Sequence, residues 1–257
     1  GFTSLPPCKA ARALGLRSYV HDSNAMPGKS NRLTARWCTK VLVGMQEAVQ
    51  HFPGSDCAVV GTPVRDEIRH LPSPAEARER LGLPQDKPVI LVTGGSQGAR
   101  NLNSLLIEAA KADPQVHYLV IAGRLDFERV NALAGGAPNI TVLGFCADMP
   151  AAYAAADGVI ARSGASTLTE LSLIGKACLL VPYPFAADDH QTHNARAFSD
   201  HGAAVLIQQA DLTVQKVHDF VHGTALNPET RNTMETAMRA LSRPNAAEDI
   251  ARTILGE

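Results

Sequence analysis

"PVILVTGGSQGARNLNSLLIEAAKA", residues 88–112, decides the fold. Its first half is a short, β-branched apolar run that stops at paired glycines. Its second half carries apolar residues at the spacing of three and four that marks one face of a helix. The same strand-then-helix rhythm continues downstream. "VHYLVIAG", "NITVLGF", "DGVIARSG", "ACLLVPY" and "AAVLI" read as strands, and "LDFERVNALA", "DMPAAYAAA", "STLTELSLIG" and "HQTHNARAFSDHG" read as the helices between them. Near-continuous hydrophobic strands separated by helices imply a parallel sheet covered on both faces. From Lys87 onward the sequence therefore predicts a doubly wound, Rossmann-like α/β domain.

The segment before Lys87 is shorter and similar. "LRSYVHDSN" (strand into loop), "NRLTARWCT" (helix), "KVLVGM" (strand), "EAVQHF" (helix) and "CAVVGTPVR" (strand) read as the tail of another parallel unit. Roughly 60 residues are too few for a complete doubly wound domain. The start is expected to be the back half of a first domain. The opening "GFTSLPP" has no methionine, so residue 1 is expected not to be a translation start. "RHLPSPAEARERLGLPQDKP" is rich in proline and charge and leads into the second unit.

Composition narrows the function classes. The 257 residues are 45% hydrophobic with a formal net charge of -1, which gives no electrostatic case for nucleic-acid binding. The cysteines (Cys8, Cys38, Cys57, Cys146, Cys178) are odd in number and widely spaced without a C-x-x-C. That pattern favours a reducing compartment and opposes a disulfide framework or zinc knuckle. No apolar run approaches the ~20 residues of a transmembrane helix.

In open α/β sheets ligands bind beyond the carboxyl ends of strands, at helix N-termini. That rule selects a few loops. "TGGSQGAR" (93–100) follows a strand; Gly94, Gly95 and Gly98 allow a tight turn, and amides near Ser96 can face an anion. Its spacing is not G-x-G-x-x-G, and a plain packing turn is the alternative. In "RSGASTLTE" (162–170), Ser163, Ser166 and Thr167 can cap a helix or meet a ligand. Glu170 can accept two ribose hydroxyls or simply favour the helix dipole. "FAADDHQTHNA" (185–195) supplies Asp188, Asp189, His190 and His193, residue types that suit a metal, yet it lacks H-E-x-x-H. A helix cap at Asp189, or a polar clamp on a ligand, are the other readings. "HDSN" (21–24) places His21 and Asn24 at a ligand edge or in a turn. Arg65 of "GTPVR" can meet a phosphate or an interdomain carboxylate.

Taken in order, "HDSNAMPGKSNR", "GTPVR", "GGSQGARNLN", "RSGASTLTELSLIGKACLLVPYPFAADDHQTHNA" and "HGAA" closely resemble the MurG family of peptidoglycan N-acetylglucosaminyltransferases. The likeness runs along essentially the whole chain. It implies two Rossmann-like domains of the GT-B glycosyltransferase type, the first incomplete. Residues 1–64 would be the back of the acceptor-side domain and 65–243 the UDP-sugar domain. Residues 244–257 would form a helix packing back on the first. The implied reaction is an inverting transfer of N-acetylglucosamine (GlcNAc) from UDP-GlcNAc to the C4 hydroxyl of the muramyl sugar of lipid I, the undecaprenyl-diphospho-muramyl-pentapeptide, giving lipid II. Carried over by motif, Ser96 would contact the diphosphate and Arg65 would lie near the donor. The stretch Ala165, Ser166, Thr167, Leu168, Thr169 and Glu170 would bring the helix N-terminus to the phosphates and Glu170 to the ribose. Cys146 would stand where backbone groups hold the uracil. Gln191 would contact GlcNAc hydroxyls, and Asn24 the donor side of the first domain. No cofactor and no protein-bound metal are implied, because helix-terminal amides hold the diphosphate. The implied location is peripheral, on the cytoplasmic face of the bacterial inner membrane.

The sequence departs from the family at "HDSN" (for HEQN) and "GTPVR" (for GNPVR). No GGTGGH-type loop, which in the family carries a histidine proposed as general base, occurs in the 257 residues. The catalytic base is thus unassigned, with His21 the substitute candidate. The alternatives are a UDP-sugar-binding fragment without turnover, or a UDP-GlcNAc 2-epimerase-like isomerase. A nicotinamide oxidoreductase is opposed by the missing dinucleotide fingerprint.

Overall fold

The computed structural model describes residues 1–94 and 100–256. The apolar runs form two parallel sheets. The first has the order β1 (Tyr19–Asp22), β2 (Lys40–Val43), β3 (Cys57–Val59), with Val20 opposite Val41 and Leu42 opposite Ala58. Helices α1 (Leu5–Ala13) and α2 (Lys29–Thr34) flank it, and Val20, Val41, Val43, Ala48 and Phe52 make its core. The helix expected over "EAVQHF" is instead a 3-10 helix, Gln46–His51. Met45 at its N-cap offers no side-chain acceptor, and the short segment closes with three-residue bonds such as Ala48 N–H to Met45 O (3.2 Å).

The second sheet is built from β4 (Val89–Thr93), β5 (His117–Ile121), β6 (Ile140–Leu143), β7 (Gly158–Ala161), β8 (Cys178–Leu180) and β9 (Val205–Leu206). All pairs are parallel and the order is β6-β5-β4-β7-β8-β9, so the chain reverses direction across the sheet between β4 and β7. Around it lie α3 (Pro74–Arg80), α4 (Arg100–Lys111), α5 (Phe127–Ala134), α6 (Met149–Ala155), α7 (Ala165–Ile174) and α8 (His190–Ser199). The chain continues through α9 (Val214–Phe220), one π-helical turn, α10 (Pro228–Ala240) and α11 (Ala246–Leu255).

Successive strand residues alternate between two helix layers, which explains why the strands read as unbroken hydrophobic runs. Leu91, Leu119, Val159 and Leu180 pack with Ala152, Leu168, Leu171 and Phe198 on one face. Ile90, Val92, Val120, Ile160 and Leu179 pack with Leu102, Leu106, Val130 and Val217 on the other. Helix α3 was not anticipated in the proline-rich segment, although "SPAE" carried its signal. Ser73 caps the helix, accepting from Glu76 N–H (3.3 Å) while Ser73 N–H donates to Glu76 Oε2 (3.0 Å). The expected strands "CAVVGTPVR" and "AAVLI" shrink to Cys57–Val59 and Val205–Leu206. The last helix meets the first unit where Tyr19 Oη donates to Ile254 O at 3.4 Å.

Gly175 ends α7 in the left-handed region (φ 66°), and an added Cβ would sit 2.2 Å from Arg239 Nε. Gly175→Ala is expected to destabilise the fold by about 2 kcal/mol, read by urea unfolding, because it combines left-handed strain with a forced shift of Arg239.

Candidate functional site

The sheet order reverses between β4 and β7, and in open α/β sheets a ligand crevice lies beyond the carboxyl ends of the strands at such a reversal. Ser96 lies outside the described residues. The helix that follows is pinned at its start. Asp126, buried at 3% exposure, takes a two-pronged contact from Arg129 (2.7 Å to each oxygen) and a bond from Asn103 Nδ2 (2.9 Å). Arg129 also donates to Arg100 O (3.0 Å). Arg129 first, then Asn103 and Arg100, hold the Asp126 carboxyl below the usual carboxylate range. A depressed folded pKa means the unfolded state binds the proton more readily. The stabilisation is therefore present above about pH 4 and lost as pH falls through the folded value. Acid unfolding of an Asp126→Asn variant is expected to show a shallower loss of stability below about pH 4 than the parent.

After β7, Gly164 is the N-cap of α7 and no side chain caps the first turn. Ser163, expected as a cap, turns away: its hydroxyl donates to Gln191 O (2.8 Å). Among the described residues no side chain caps the first amides of α7, and the helix dipole favours an anion there. Ala165 and Thr167 are half-buried and Ser166 is exposed at this end. The Leu168 side chain lies in the core, and the Thr169 hydroxyl donates to Ala165 O (2.8 Å), so neither side chain faces the crevice as a polar contact. One turn on, Glu170 Oε2 accepts from Tyr153 Oη (2.7 Å), and Oε1 lies 3.9 Å from Arg65. Burial, with the charge of Glu170, pushes the Tyr153 phenol well above its ordinary range, so it remains a donor that fixes the carboxylate.

Beyond β4, β5 and β6 lies a hollow of about 510 Å³ lined by Thr93, Gly123, Arg124, Phe145 and Cys146. The Arg124 guanidinium sits 4.6 Å from the centre of the exposed Phe145 ring. Cys146 is buried, and burial raises its thiol pKa.

The polar burst 185–195 resolves into separate duties. Asp188 pairs with Lys29 and Arg32 (3.3 Å each) across to the first sheet's helix. Asp189 stands at the N-cap of α8, but its side chain accepts from the Thr192 hydroxyl (2.7 Å) and caps no backbone amide. This corrects the expected cap. Both aspartates take the left-handed conformation (φ 51°), which Asp tolerates better than most residues. His190 Nδ1 is 2.9 Å from Ala187 O. Among the described residues no three His, Cys, Asp or Glu side chains converge on a point. Gln191 Oε1 accepts from Tyr183 N–H (2.9 Å). Asn194, fully buried, accepts from Ala25 N–H (2.8 Å) and donates to Asn24 Oδ1 (3.0 Å) and Ser163 O (3.1 Å). The Asn24 amide also donates to Asp22 Oδ1 (3.2 Å), so Asn24 joins the two units. His21 Nε2 lies 2.8 Å from Gly61 O, and since a carbonyl only accepts, Nε2 carries a proton there.

Tyr153, Arg162, Asn194 and the Arg124–Phe145 pair were not singled out as site residues from the sequence. Each lies on a strand end or helix face whose partners are far away in the chain.

With this geometry in hand, the comparisons with known proteins are specific. Residues 89–251 match the glycosyltransferase family 28 C-terminal domain. The UDP-N-acetylglucosamine–N-acetylmuramyl-(pentapeptide) pyrophosphoryl-undecaprenol N-acetylglucosamine transferase of Nostoc punctiforme is 37% identical over 99% of this chain and 70% of its own length. The enzyme of the same name from Xanthomonas campestris is 42% identical, covering 100% of this chain and 59% of its own. The crystal structure of Acinetobacter baumannii MurG superposes with a TM-score of 0.82 at 32% identity, covering 100% of this chain and 73% of that one. Among the described residues no helix is long and apolar enough to cross a membrane. The chain belongs to the MurG family of glycosyltransferases.

Proposed function

We propose that the crevice between β4 and β7 holds UDP-GlcNAc as the sugar donor of a hexosyl transfer to lipid I. The observation that carries the reading is the pairing of an uncapped α7 N-terminus with Glu170, held by Tyr153 one turn further on. The amides suit a diphosphate, and a fixed carboxylate suits the two hydroxyls of a ribose. Ser96, Ala165, Ser166 and Thr167 are assigned to the phosphates, with Leu168 and Thr169 contributing backbone only. Arg65 lies on the donor side of Glu170, and Cys146, with Phe145 and Arg124, frames the hollow assigned to the uracil. Gln191 is assigned to the sugar. Asn24 is assigned to joining the two units beside it.

In the transfer, the bond from the GlcNAc anomeric carbon to the diphosphate breaks, and UDP leaves with the electron pair. A bond forms to the C4 hydroxyl oxygen of the muramyl sugar from the opposite face, and the hydroxyl proton passes to a base. His21 is a poor base through Nε2, which is already protonated toward Gly61 O. The acceptor is lipid-borne, so the assigned location is peripheral, at the cytoplasmic face of the membrane. The epimerase alternative requires paired carboxylates around the sugar. The carboxylates near Gln191 are instead bonded to Lys29, Arg32 and Thr192.

Calorimetric titration tests the reading. UDP and UDP-GlcNAc are expected to bind at one site per chain, and NAD not at all. Tight NAD binding, or no heat with either uridine nucleotide, would overturn it.

A further inference from the structure

The hydrogen bonds around Gln191 close into a ring. Arg162, just beyond β7, donates through Nη1 to Val181 O (3.0 Å) and Pro182 O (2.8 Å), the last carbonyls before Tyr183. Tyr183 N–H donates to Gln191 Oε1 (2.9 Å). Ser163, the peptide neighbour of Arg162, donates to Gln191 O (2.8 Å). Residues 162–163 and 182–183 are covalently joined, so the circuit holds Gln191 at both its backbone and its side chain. A backbone N–H facing the amide excludes the flipped orientation, because Nε2 would then oppose another donor. The Nε2 group is left facing away from Tyr183 with its two N–H donors.

Arg162 is an expensive way to hold two carbonyls. It is buried at 7% exposure, and among the described residues no carboxylate lies within salt-bridge distance. Its second nitrogen, Nη2, donates to Gln209 Oε1 (2.5 Å), and its guanidinium lies 5.6 Å from the Tyr183 ring centre. Burial lowers its pKa to about 10, the sign of a cation that lacks compensation. What a guanidinium supplies, and an ammonium does not, is a rigid plane with a second nitrogen: Nη1 holds both carbonyls while Nη2 is anchored on Gln209, which fixes the direction of Nη1.

We propose that Arg162 is a positioning residue for the donor sugar: through the Pro182–Tyr183 peptide it holds the Gln191 amide so that Nε2 donates to a sugar hydroxyl oxygen. This rests on the assignment of the sugar to Gln191 made above.

The test is the ratio of the UDP-GlcNAc to the UDP dissociation constant, measured calorimetrically on the whole chain. Gln191→Glu keeps an acceptor for Tyr183 N–H but replaces the two donors with a carboxylate oxygen, and is expected to raise the ratio about tenfold or more. Arg162→Lys keeps the charge and loses the plane anchored on Gln209, and is expected to raise the ratio about fivefold while UDP affinity stays within about threefold. Combined with Gln191→Glu it should add nothing further, because the donors it positions are already gone. Ser163→Ala, which opens the other arm of the ring, carries the same expectation should Arg162→Lys fail to fold. An Arg162→Lys or Ser163→Ala variant that weakens UDP and UDP-GlcNAc equally, or a double variant whose effects simply add, would overturn the positioning role. Loss of UDP binding in the unaltered chain would instead overturn the site assignment on which it rests.

Discussion

Glu170→Ala is expected to weaken uridine-nucleotide binding by about 1–3 kcal/mol, a rise in Kd of roughly fivefold to 150-fold. The carboxylate is mostly buried (17% side-chain exposure) and its Oε2 is fixed by Tyr153 at 2.7 Å, so it is pre-positioned as an acceptor. On the proposed assignment, removing it would leave the two ribose hydroxyls without partners, and the cost of unsatisfied donors exceeds the modest net gain of an ordinary hydrogen bond. Tyr153→Phe keeps the buried ring but frees the carboxylate, and is expected to give a smaller loss of the same kind. Calorimetric Kd values for UDP check both. An unchanged affinity in Glu170→Ala would reduce Glu170 to a structural partner of Tyr153.

Asn194→Ala destabilises the fold by about 3 kcal/mol in urea unfolding, because it strips partners from Ala25 N–H, Asn24 Oδ1 and Ser163 O together. Asn194 is fully buried, and the segments it joins are the loop after β1, the loop before α7, and α8. The variant should also weaken the coupling of the two units. Asn194→Asp separates the roles: it retains the acceptor for Ala25 N–H but sets oxygen against Ser163 O and Asn24 Oδ1. It should be nearly as damaging at neutral pH. A loss below about 1 kcal/mol in both variants would mean that the site relaxes around the lost amide.

The legible part of the fold was the part set by periodicity. Runs such as 89–93, 117–121 and 158–161 announced strands buried on both faces, and the glycines and caps after them announced the helices. What failed was local. "EAVQHF" has helical composition but no capping side chain and little length, so it settled into a tighter turn. The segment 66–87 looked like a linker because its prolines outweighed a four-residue capping box at Ser73. In the candidate site, Glu170 and Gln191 could be nominated because motifs place them near helix starts, and the roles given them are proposals. Tyr153, Arg162 and Asn194 were not, since their partners lie 17, 20 and 169 residues away. A polar residue that serves a distant backbone looks, in sequence, like any other. The metal-like letters of 185–195 show the converse. Asp188, Asp189 and His190, three of the four residues that suit a metal, are consecutive in sequence, yet each bonds to a different neighbour.

A crystal structure of the chain with UDP-GlcNAc bears most directly on the whole reading. The diphosphate should lie over the first amides of α7, the ribose hydroxyls within hydrogen-bond distance of Glu170, the uracil in the hollow beside Phe145 and Cys146, and Nε2 of Gln191 against the sugar. Nucleotide bound elsewhere, with the α7 N-terminus empty and Glu170 still held only by Tyr153 and Arg65, would contradict it.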